Sequence, residues 1–73
     1  MIFYAIYDHP SDYPHEFVCR RWRAARGAVR PIDNGEPFAR GQTLDSVRAM
    51  LPANLTNLGR KHGDDPRLVE TWI

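Results

Sequence analysis

Ile2-Phe3-Tyr4-Ala5-Ile6-Tyr7 is an unbroken apolar run, rich in aromatic and β-branched side chains, and Asp8 closes it. A run of this length and composition reads as a buried β-strand. It is too short to cross a bilayer and has no basic lead, so it is read as neither a membrane span nor a signal peptide. A β-strand needs hydrogen-bonded neighbours. The rest of the chain must therefore supply a sheet.

His9-Pro10-Ser11-Asp12-Tyr13-Pro14 follows, and two prolines among turn-formers forbid regular structure there. Glu16 to Ala25 reads as the second strand, antiparallel to the first across this loop. Alternation puts Phe17, Cys19, Arg21 and Arg23 on one face and Val18, Arg20, Trp22 and Ala24 on the other. Neither face is cleanly apolar. Either both faces are partly covered or a bulge shifts the register.

Arg26-Gly27 and Asp33-Asn34-Gly35-Glu36 are turn signals. Asn-Gly is the stronger, because a type I′ turn requires positive φ at both central residues. Pro31 and Pro37 flank it, so a strand in this region is short and at an edge, with Phe38 to Arg40 the candidate. Thr43 to Pro52 reads as the one helix. Thr43 is the N-cap, Asp45 complements the dipole, Leu44, Val47, Met50 and Leu51 form the apolar stripe, and Pro52 stops it. Leu55 to Arg60 and Arg67 to Ile73 read as the last strands, separated by a polar loop with Gly63-Asp64-Asp65-Pro66 as its turn. Strict alternation in the last strand sets Val69, Thr71 and Ile73 against Leu68, Glu70 and Trp72. The order is β-β-(β)-α-β-β. The expected fold is a single α+β domain over 1–73, a small antiparallel or mixed sheet of four to five strands with one short helix on one face.

The arginine-tryptophan strand, the Thr43-Leu44-Asp45 helix and the Gly63-Asp64-Asp65-Pro66…Val69-Glu70-Thr71-Trp72 tail together resemble a set of short, uncharacterised bacterial and prophage-type proteins. The resemblance implies a bacterial or phage source and carries no assigned activity.

A chain of 73 residues holds one thin core. A domain of about this size hides only roughly 60% of its unfolded surface, which leaves little room for an enclosed active site. Apolar residues at 42% and charged residues at 26% describe an ordinary globular chain with a formal charge of +1. The lone Cys19 excludes an internal disulfide and fits a reducing, cytoplasmic setting.

Several side chains invite functional readings. Arg20, Arg21 and Arg23 interleaved with Trp22 can hold phosphates while the indole stacks on a base. The alternative is that the arginines pair with acids and Trp22 packs in the core. His9, His15 and Cys19 with Asp8 and Asp12 are metal-capable, but their spacing is not that of a structural zinc site. Cys19 as a nucleophile needs a depressed pKa, whereas a lone strand cysteine is usually a small buried hydrophobe. Asp64 and Asp65 read as turn residues rather than as an acid-base or cation pair. No metal or cofactor is expected.

The rings Tyr4, Tyr7, Tyr13, Trp22 and Trp72 are many for so small a core, and exposed aromatics and arginines mark binding hot spots. The leading expectation is a non-catalytic protein-binding module, monomer or homodimer. It acts through a sheet face or edge strand, with Arg20, Arg21, Trp22, Arg23, Tyr13 and Trp72 as its binding residues. A phage-borne inhibitor of a host or defence protein, of the anti-CRISPR type, is one form of it. The alternatives are a nucleic-acid-associated protein using the Arg20–Arg23 strand and a small metal or thiol enzyme.

Overall fold

The computed structural model describes residues 1–60 and 65–73. The turn read at Gly63-Asp64 and the carboxylate pair involving Asp64 lie outside the described residues. The apolar N-terminal run forms β1 (Ile2–Asp8), and the arginine-rich segment forms β2 (Phe17–Ala25). These pair antiparallel in continuous register from Ile2↔Arg23 to Asp8↔Phe17. The remaining elements are β3 (Ala28–Pro31), β4 (Ala39–Gly41), α1 (Leu44–Arg48), β5 (Asn57–Gly59) and β6 (Leu68–Trp72). The sheet runs β3-β2-β1-β6-β5, every pairing is antiparallel, and β4 also pairs with β2. The α+β architecture with one helix on one face is as expected, with six strands rather than four to five.

The additional strand is β3, and the weaker of the two turn signals makes it. Arg26 and Gly27, at φ 51° and 78°, form the two-residue link between β2 and β3, with Ala25 opposite Ala28. Positive φ at both positions is the type I′ requirement, and Gly27 meets it without a Cβ penalty. Asn34-Gly35 also has positive φ at both residues, 55° and 81°. However, the strands it separates, β3 and β4, do not pair with each other. Both lie along the same edge of β2. Ile32 N–H donates to Arg21 O at 3.0 Å and Phe38 N–H to Cys19 O at 2.8 Å. Residues 33–37 thus loop out of one interrupted edge strand.

Alternation in β2 holds. Tyr4, Ile6, Cys19, Ala39 and Val47 form the core between sheet and helix, with Phe17, Phe38, Leu44, Leu51, Leu55 and Trp72 packed around it. In β6 the strict alternation fails. Ile6 pairs with Glu70 but Tyr7 pairs with Leu68, so Val69 is the extra residue of a bulge. The bulge moves Leu68 to the face of Tyr7 and Thr71.

The helix is shorter than the sequence pattern suggests. Thr43 caps it as expected, its hydroxyl accepting from Ser46 N–H at 3.1 Å. Beyond Arg48 the chain tightens, with Met50 N–H donating to Val47 O at 3.1 Å and Leu51 N–H to Arg48 O at 3.1 Å. These are i to i+3 bonds, typical of a fraying last turn.

Candidate functional site

Only one face of the sheet is covered by the helix. The opposite face carries Phe3, Ala5, Tyr7, Val18, Arg20 and Trp22 by register. The 9–16 loop covers one end of it. There the Tyr13 ring lies under the guanidinium groups of Arg20, 6.0 Å away, and Arg40, 4.8 Å away, and Val18 is fully buried. The remainder is open. It forms an apolar groove of about 440 Å³ floored by Phe3, Ala5, Tyr7 and Trp22. Its walls include Val29, Leu58 and Ile73, which are 57%, 50% and 38% exposed.

Trp22 is central to the groove. It stands opposite Phe3 across β1 and β2, and the two rings stack with centroids 6.4 Å apart and planes 15° from parallel. Its indole nitrogen is buried, and the Tyr7 phenol is its polar neighbour. Burial pushes the Tyr7 phenol above its ordinary value, the neighbouring indole opposes that shift, and the Asp65 charge adds to it. Past Tyr7 and Trp22 the groove turns polar, lined by Ser11, Asp12, Arg20, Asp65 and Arg67.

The residues expected to act together are split by the sheet. Arg20, Trp22 and Tyr13 lie on the groove side; Arg21, Arg23 and Trp72 lie on the helix side. Arg20 is paired with Asp12 and donates to Gly35 O at 3.1 Å. Arg21 clasps Asp33, with Nη2 at 2.8 and 2.7 Å from the two carboxylate oxygens and Nε at 3.0 Å from one of them. The Asp33 carboxylate holds the Arg21 guanidinium above its ordinary pKa. Arg20 and Arg21, on opposite faces, therefore hold the same 33–37 excursion from both sides. Their alternation serves this local clamp. Trp72 is half-buried, and its indole donates to Glu70.

The other candidates are dispersed. His9 pairs with Asp8 and packs edge-on against Phe17 at 5.1 Å, His15 is exposed, and Cys19 is in the core. Among the described residues no three His, Cys, Asp or Glu side chains are grouped so as to hold a metal ion. Burial pushes the Cys19 thiol up to about 12, against a smaller opposing pull from Arg21, the reverse of an activated nucleophile. Among the described residues no helix is long and apolar enough to cross a membrane.

Of the residues named from the sequence as binding residues, Trp22 lines the groove, whereas Leu58 and Leu68, which also line it, are not among them. The signal for Leu58 was Asn57-Leu58-Gly59, a lone apolar residue in a short polar edge strand. Comparison of the chain with protein-family models, curated proteins and solved structures finds no match.

Proposed function

We propose that this is a non-catalytic binding protein that recognises a partner protein through the groove on the open face of its sheet. The observation that carries the reading is the open apolar floor of Phe3, Ala5, Tyr7 and Trp22, walled by the exposed Val29, Leu58 and Ile73. A contiguous exposed apolar surface of this kind marks an interaction site on a small protein. An apolar side chain inserted by the partner would fill the groove. The polar end, with Arg67, Asp65 and the Arg20–Asp12 pair, provides the mixed-charge rim of a protein interface. A concave floor favours a convex partner over a second copy of the same groove. An inhibitor of a bacterial host or defence protein is the biological form that the sequence resemblance adds.

The nucleic-acid reading of the Arg20–Arg23 strand has less support, because Arg20 and Arg21 are engaged by Asp12 and Asp33 and Trp22 faces away from Arg21 and Arg23.

The test is capture of a partner from the native host, followed by reconstitution with the purified partner. Leu58→Glu and Val29→Glu, in the groove walls, should abolish the reconstituted complex. Met50→Glu, an exposed apolar residue on the helix side, should leave it intact. A complex indifferent to both wall substitutions would sink the proposal.

A further inference from the structure

The third arginine of β2 breaks the pattern set by the other two. Arg20 and Arg21 each have an aspartate, whereas Arg23 stands directly opposite Arg30 of β3. Like charges facing each other across an antiparallel pair, with Cβ atoms about 5 Å apart, are destabilising. Both side chains are exposed, and Arg26 sits on the two-residue link that joins their strands. No acid among the described residues pairs with Arg23, Arg26 or Arg30.

The bland account is that charge on an edge strand discourages sheet-to-sheet association. That covers Arg30, because β3 is an edge strand. It does not cover Arg23, because β2 lies between β1 and β3. An interior strand gains no edge protection from a charge set against a like charge.

We propose that Arg23 and Arg30 form a binding site for a phosphate group, distinct from the groove and on the opposite face of the sheet. Two planar guanidinium forks carried on directly opposed residues can each offer paired N–H donors to one tetrahedral oxyanion. An anion between them would also offset the like-charge repulsion of the opposed arginines. Arg26, on the link between the two strands, adds to the local positive charge. The same chemistry is presented by free inorganic phosphate and by a nucleic-acid backbone.

The experiment titrates the intact protein with inorganic phosphate at low salt. It follows the arginine Nε–H resonances and the melting temperature, with sodium chloride at matched ionic strength as the control. Phosphate should shift the Arg23 and Arg30 signals saturably and raise the melting temperature. Affinity should fall at least about tenfold in Arg23→Gln and Arg30→Gln, the loss expected for one charge-assisted contact pair. It should also fall in Arg30→Lys, which keeps the charge but not the fork, while Arg40→Gln should bind as the parent does. Equal responses to phosphate and chloride, or a phosphate response unchanged by these substitutions, would overturn the site. A second arm adds an oligothymidylate of about a dozen residues. Displacement of phosphate with a steep salt dependence identifies a nucleic-acid backbone as the source, and phosphate binding without displacement identifies a free phosphate compound. Either result upholds the site.

Discussion

Arg48 on the helix and Glu70 on the last strand, 22 residues apart in sequence, form a two-point ion pair that fastens α1 to the sheet. Nε lies 3.1 Å from one carboxylate oxygen and Nη2 2.5 Å from the other. Glu70 is only 3% exposed and also accepts from Asn57 Nδ2 at 3.4 Å and from the Trp72 indole. Removing one partner of a buried pair strands the other charge. Arg48→Met should therefore lower the urea midpoint, and Glu70→Gln should cost about 2 kcal/mol, the scale of a charge-assisted hydrogen bond. Equilibrium unfolding followed by tryptophan fluorescence checks both. An unchanged midpoint in Arg48→Met would show that the pair holds nothing together.

Gly41 is where β4 passes closest to the helix. A Cβ there would come 2.2 Å from Ser46 Oγ and 3.3 Å from both Ser46 Cβ and Val47 Cγ2. The hydroxyl can swing away, but only by giving up its 2.8 Å bond to Thr43 O at the helix start. Gly41→Ala should destabilise by about 1 kcal/mol, the usual worth of one hydrogen bond plus slight overpacking. In a Ser46→Ala background the penalty should shrink. A double-mutant cycle showing no coupling would refute the clash.

Cys19 makes the stability depend on alkaline pH. The folded thiol sits at about 12, above its ordinary 9.0, so the unfolded chain loses its proton first. The native state then binds more protons between those values, and stability is flat below pH 9 and falls above it. The limiting slope is roughly 1.4 kcal/mol per pH unit. Tyr7, raised from 10.0, adds to the fall at higher pH. Urea midpoints at about pH 7 and about pH 10.5 should differ less in Cys19→Ala than in the parent. In the native state at neutral pH, thiol reagents should leave Cys19 unmodified.

Trp22→Phe separates stability from recognition. The substitution keeps an apolar ring on the groove floor and gives up part of the contact area, a cost of roughly 1 kcal/mol. Thermal unfolding should stay close to the parent while partner binding falls sharply. A large loss of stability would mean that the indole is serving the fold rather than the groove.

Much of this architecture is visible in local patterns. The β1 run, the alternation of β2 and the Thr43 cap each depend on neighbours in sequence, and each is where the pattern places it. The misreadings involve residues whose neighbours are distant. Val-Glu-Thr-Trp reads as plain alternation until β1 imposes a bulge at Val69. Nothing local to Glu70 announces its partner, because Arg48 arrives from the helix. Asn-Gly outranks Arg-Gly as a hairpin turn, yet β2 recruits both flanking segments and leaves Asn34-Gly35 in an excursion. The arginines were recognised, but their division between two faces and two aspartates depends on how a loop and a turn fold back onto β2.

The centre of the sheet joins the two strands farthest apart along the chain, Tyr4 opposite Trp72. Closing so large a loop is the slow step of assembly, so folding should be unhurried for a domain of this size. During synthesis, β1 and β2 are complete long before Leu68 emerges. At about 5–20 residues per second the interval is roughly 2 to 9 s, and throughout it one side of β1 has no neighbour. The nascent chain is then at its most vulnerable, and a chaperone that shields β1 would act in that window.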